Sequence, residues 1–150
     1  MPQSLTRIFL HIIFSTKHRH RLIDETIENE LFRYLGGVCR DLECQPIQVG
    51  GYRDHVHILS GLSKKITVIK LLQEVKQNSS KWIKTKGDTY AGFYWQDGYA
   101  AISVSPAELD RVAHYIRHQK EHHQKPSFQD ECRAFFKEYG IEYDERYVWD

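Results

Sequence analysis

Between residues 7 and 105 the hydrophobic pattern switches between a period of two and a period of 3.6 in one order, strand, helix, strand, strand, helix, strand. Few folds accept that order. "RIFLHIIFST", Arg7 to Thr16, is β-rich and apolar on both alternating sets, as a strand buried on both faces of a sheet requires. In "LIDETIENELFRYLGGVCRDL" the residues Ile27, Leu31, Leu35 and Val38 recur at helical spacing behind Asp24, which fits an N-cap, and the helix ends near Arg40. "CQPIQVGGY" reads as a second strand. After a turn at Arg53-Asp54 comes "HVHILSG", close enough to pair with it as an antiparallel hairpin. From Thr67 to about Thr85, Val68, Leu71, Leu72, Val75, Ser79, Trp82 and Ile83 keep a 3.6 period with lysines on the other face. "FYWQDGYAAISVS" then supplies a turn and a further strand. The pattern predicts an α+β, ferredoxin-like (split βαβ) antiparallel sheet with helices on one face, plus C-terminal helices.

The next helix, "SPAELDRVAHYIRHQKEHHQ", opens with Ser105 as N-cap, Pro106 at the first helical position and Glu108 placed for a capping box. "SFQDECRAFFKEY" forms a last helix that stops at Gly140, where a glycine cap belongs. The final ten residues, charged and aromatic, read as a tail that packs on something, a partner subunit among the candidates. With 150 residues at 41% hydrophobic composition, the chain suits one domain spanning residues 1–150. Its formal charge of +1 places any nucleic-acid contact in local patches and excludes a histone-like cationic protein. Cys39, Cys44 and Cys132 lack metal-site spacing and give an odd count, which points to a reduced, cytoplasmic protein. "IFLHIIF" is too short to span a bilayer, so no membrane partner is expected.

In "GYRDHVHILSG" the alternation of a strand puts His55, His57 and Leu59 on one face and Val56 and Ile58 on the other. Two imidazoles alone do not close a metal site, and taken alone such a pair is more often structural. On the helix after Ser105, Tyr115 and Gln119 stand four residues apart on one side, with His118 and His122 nearby. His55, His57 and the Gln119 amide oxygen make a three-ligand set with open positions, suited to Mg²⁺ or Mn²⁺ on a phosphate. Tyr115 then fits a nucleophile that stores a cleaved phosphodiester as a phosphotyrosine ester, and His118 or His114 fits a proton-transfer partner.

These motifs carry a resemblance. "DHVHIL" is similar to the HUH motif, and with "HYIRHQKEHH", "HIIFSTKHRHRLI", "SSKWI", "FYWQDGYAAISVS" and "SFQDECRAFFKEYGIEYDERYVWD" the chain resembles, nearly end to end, the HUH-type single-tyrosine transposases of small insertion sequences. The resemblance implies metal binding by His55, His57 and Gln119, and attack by Tyr115 to give a 5′-phosphotyrosine and a free 3′-hydroxyl. It further implies cleavage and rejoining of single-stranded DNA bearing hairpins, and a homodimer in which one chain's tyrosine helix can complete the other's site. Lys17, Arg19 and Arg21, with Lys76, Lys81 and Lys84 of the second helix, are candidate phosphate contacts. Tyr52, Tyr94 and Trp95 offer stacking faces, although Trp82 and Trp95 fit the core as well. His122 and His123 suit the negative end of a helix dipole. Two other functions fit parts of the pattern: a non-catalytic ferredoxin-like single-stranded nucleic-acid-binding module, and a domesticated relative acting on host DNA hairpins.

Overall fold

Strand alternation organises the fold. β1 (Phe9–Ser15) sends Leu10, Ile12 and Phe14 to one side of the sheet, and β3 (His55–Gly61) sends Val56 and Ile58 to that same side. The computed structural model describes residues 2–122 and 126–150, so His123 lies outside the described residues. β2 (Pro46–Tyr52) pairs with β3 through the expected two-residue turn, with Tyr52 opposite His55. β1 pairs antiparallel with β3 and with β4 (Ala100–Val104), giving the order β2-β3-β1-β4. This is the α+β antiparallel arrangement that the period order predicts.

Two helices cover the first face. α1 (Glu28–Asp41) buries Leu31, Leu35, Val38 and Cys39, and Asp24 caps the turn before it by accepting from the Ile27 amide at 3.0 Å. α2 (Val68–Lys84) starts at Thr67, whose hydroxyl accepts from the Lys70 amide, and buries Leu71, Leu72, Val75 and Ile83. Trp95 belongs to this core. It lies edge-on to Phe14 and Phe93, and its indole donates to Ser79 at 2.9 Å, so it is not an exposed stacking platform. Trp82 is half-buried and stacks on Tyr34.

The opposite face is roofed by helices that come after β4 in the chain. α3 (Leu109–Arg117) packs Val112, Ala113 and Ile116 onto Leu59, and α5 (Phe128–Glu138) packs Phe128, Cys132 and Phe136 onto Ile13. Gly50 on β2 permits the first docking, because a Cβ there would meet the Ile116 carbonyl oxygen at 2.6 Å. The expected single long helix is broken. A 3-10 turn, Pro106–Glu108, precedes α3, and His118 interrupts the helix before α4 (Gln119–His122). Ser105 makes no side-chain cap bond, and the Glu108 carboxylate pairs with Arg111 instead of closing a capping box.

Ser127 caps α5 by accepting from the Asp130 amide, and Gly140 ends it with φ of 65°. The C-terminal tail packs on its own chain, where Val148 and Trp149 join the Ile13 cluster and Glu145 accepts twice from Arg133. The cysteines are free and buried. No helix among the described residues is long and apolar enough to cross a membrane.

Candidate active site

The roofed face buries polar side chains where the other face buries apolar ones. His55 and His57 are fully buried, and Gln119 and Glu131 nearly so. His55 Nε2 lies 3.0 Å from Gln119 Oε1, and His57 Nε2 lies 3.0 Å from Glu131 Oε1. Glu131 Oε1 is also 3.6 Å from His55 Nε2. The second carboxylate oxygen, Oε2, accepts from the Gln119 amide at 3.2 Å and from the Tyr115 hydroxyl. His55, His57, Gln119 and Tyr115 therefore meet within one chain, around a carboxylate from α5.

The other ring nitrogens are also held. His55 Nδ1 lies 2.8 Å from Asp54 Oδ1, and His57 Nδ1 lies 2.7 Å from Nε2 of His11, a buried residue of β1. Burial, and secondly His57, pull His11 down to about 3, so it is neutral at ordinary pH. Burial raises the Tyr115 phenol well above the usual tyrosine range, and the Glu131 carboxylate raises it further. Positive charge placed at this carboxylate would lower it again.

The donor set fits a divalent cation. An Asp54 carboxylate accepts the hydrogen of His55 Nδ1, which leaves a lone pair on Nε2 pointing at Gln119 Oε1, itself an acceptor. Two acceptors face to face are reconciled by a second proton on the ring or by a cation between them. His55, His57 and Glu131 together can offer two nitrogens and an oxygen to one ion, with their ligand atoms within 4.8 Å of one another. Separations of about 3 Å are those of neighbouring ligands around an ion held at roughly 2.1 Å.

The sequence reading missed Glu131. Its signal was present, because Phe128, Glu131, Cys132 and Phe135 follow the spacing of a buried helical stripe and one of the four is a carboxylate. His118 is not beside the phenol. It is exposed at the helix break, and its Nδ1 is bonded to the His114 carbonyl, while His114 is exposed as well. His122 does lie near Tyr115, with ring centroids 5.1 Å apart and Nε2 3.4 Å from Glu131 Oε2, and His57 lies edge-on to the same ring at 5.8 Å.

The basic residues divide. Lys17, Arg19 and Arg21 belong to a loop tied to the site, since the Thr16 amide donates to the Asp54 carbonyl at 2.8 Å. Lys17 pairs with Asp97, and Arg21 lies over the Tyr52 ring. Lys76 points inward and donates to the carbonyls of Gln96, Asp97 and Gly98, so its ammonium is committed to the fold. Lys81 and Lys84 line an open groove beside residues 95–97, with Lys84 4.2 Å from the exposed Tyr94 ring.

Similarity to known proteins bears on the family and the fold. The family model described as "Transposase IS200 like" matches residues 4–119, a span that ends at Gln119 and leaves Glu131 beyond it. A crystal structure described as that of a candidate transposase from Deinococcus radiodurans R1 superposes with a TM-score of 0.61 at 20% identity, covering 79% of this chain and 98% of that one. A REP-associated tyrosine transposase bound to a REP hairpin superposes with a TM-score of 0.57 at 12% identity, covering 82% of this chain and 73% of that one. Among curated proteins, none matches the chain.

Proposed function

Since the chain belongs to the IS200-like transposase family, we propose that it cleaves and rejoins single-stranded DNA through a covalent tyrosine step. The observation that carries this reading is the convergence on one buried carboxylate: the Tyr115 hydroxyl bonds one oxygen of Glu131 while both histidines of β3 face the other. In this reading His55 and His57, with oxygen from Gln119 and Glu131, hold Mg²⁺ or Mn²⁺. When bound, such an ion neutralises the nonbridging oxygens of a phosphodiester and favours attack at phosphorus.

The chain's own groups do the rest. Tyr115 gives its proton to solvent, its oxygen forms the new bond to phosphorus, and the bond from phosphorus to the 3′ oxygen breaks. The departing oxygen takes a proton from water, leaving a 5′-phosphotyrosine and a free 3′-hydroxyl. Attack by another 3′-hydroxyl reverses these bond changes and rejoins a strand without ATP. Gln119 holds Glu131 against the phenol, so the nucleophile is oriented before substrate arrives.

Lys17, Arg19, Arg21, Lys81 and Lys84 are assigned to phosphate contacts, with Tyr94 beside Lys84 as a stacking face. Lys76 is left out because its hydrogen bonds are made internally. Hairpin-bearing strands are the preferred substrate class in this reading, as the hairpin-bound relative suggests. A homodimer and a cytoplasmic location complete the assignment, and sedimentation tests the first. The decisive assay incubates the protein with labelled single-stranded DNA and Mg²⁺. A protein–DNA adduct that survives denaturation, and disappears with chelator or with Tyr115→Phe, is expected. DNA binding without any adduct would leave a non-catalytic binding module.

A further inference from the structure

We infer that His11 and Asp54 are positioning residues that set the tautomers of the two histidines of β3, so that each turns an Nε2 lone pair toward the same point. The inference rests on the ion site proposed above. A neutral imidazole carries one N–H, and the bond made by one ring nitrogen decides what the other can do.

The two histidines are held by different partners. Asp54 sits in the hairpin turn immediately before β3, and its carboxylate can only accept, so it fixes the hydrogen of His55 on Nδ1. For His57 the partner is His11, and the sheet register explains why. Ile13 pairs with His57 and His11 with Leu59, which puts His11 diagonally across from His57 on the same face of neighbouring strands. The rings lie 5.0 Å apart between centroids, and 2.7 Å separates His11 Nε2 from His57 Nδ1.

An imidazole in this place does something a carboxylate cannot. With no ion present, His57 can donate from Nε2 to Glu131 and accept at Nδ1 from His11. Presenting the Nε2 lone pair to an ion requires the hydrogen of His57 on Nδ1, donated to His11, whose own hydrogen then resides on its Nδ1. Both rings stay neutral and no proton is gained or lost. His11 serves as donor in one arrangement and acceptor in the other, so the bond between the two buried rings is kept either way.

The test measures ion binding directly. Free Mn²⁺ is quantified by electron paramagnetic resonance during titration of the purified protein, and ¹⁵N chemical shifts report His57 in the Mg²⁺-loaded protein. His11→Leu and Asp54→Ala are each expected to weaken Mn²⁺ binding roughly 10- to 100-fold. His11→Gln and Asp54→Asn keep an acceptor oxygen and should restore most of it. The His57 hydrogen should appear on Nδ1. Asp54 lies in a turn and is partly exposed, so its pair decides the matter if His11→Leu does not fold. The inference is overturned if Asp54→Ala binds within twofold of wild type, or if loaded His57 carries its hydrogen on Nε2. Wild-type protein that binds no Mn²⁺ would overturn the ion site itself, and this inference with it.

Discussion

The two faces of the sheet are made from the same strands and held by different physics. Toward α1 and α2, Leu10, Ile12, Phe14, Val56 and Ile58 meet Leu31, Leu35, Leu71 and Ile83, contacts that need shape and no particular partner. Toward α3 and α5, His11, His55 and His57 alternate with Ile13 and Leu59, and each buried nitrogen there has to find one specific atom. One face holds the chain together through bulk burial, and the other spends its burial on placing a phenol beside two imidazoles. Substitutions on the first face should therefore move stability and leave the chemistry of surviving molecules intact. On the second face the order should reverse.

The largest separation of the two should come from Phe14→Ala. A fully buried ring at the junction of β1 and Trp95 is lost, at a cost of about 3–5 kcal/mol in unfolding free energy. Urea denaturation measures that loss, and Mn²⁺ affinity of the folded fraction should be unchanged. If affinity falls in step with stability, the faces are not independent.

Gly50→Ala probes the other side. The new methyl group would press on the Ile116 carbonyl and push α3 away from β2, carrying Tyr115 with it. Adduct formation should drop by roughly a hundredfold, as displacement of a reacting group by about 1 Å can produce. Ion affinity should fall much less, because His55 and His57 belong to β3 and of the proposed ligands only Gln119 follows α3. Equal losses in both would mean that α3 also supports the ligands.

The smallest effect concerns the tail that braces α5. Arg133 holds the Glu145 carboxyl down to about 2 from an ordinary value of 4.5. A carboxyl depressed in the folded state contributes above its unfolded pKa and loses that contribution as pH falls through the folded one. The tail should therefore loosen between about pH 4.5 and 2. Emission from Trp149, taken as the part of the signal lost in Trp149→Phe, would follow it, and Glu145→Gln should remove the acid-dependent change.

Much of this was legible in the sequence because it depends on local periods. The alternation in "HVHILSG" placed His55, His57 and Leu59 on one face, and Thr67, Ser127 and Gly140 marked helix ends that the structure keeps. What escaped depends on competition between neighbours or on distance. Ser105 and Glu108 had the spacing of a capping box, but Arg111 takes the carboxylate one turn on. The break at His118 left Tyr115 and Gln119 on separate helices, and they meet through Glu131 instead of through one continuous face. His11 looked like one more residue of an apolar strand until the register set it beside His57. Glu131 needed the tertiary fold as well, although a carboxylate within the stripe Phe128, Cys132 and Phe135 was the clue.

The central claim is that the oxygen of Tyr115 becomes bonded to phosphorus. Mass spectrometry of the protease-digested adduct measures this directly. The account predicts that the peptide containing Tyr115 carries the nucleotide as a phosphotyrosine ester, with every other tyrosine unmodified. The nucleotide found on a different tyrosine, or on a serine or histidine, would contradict it.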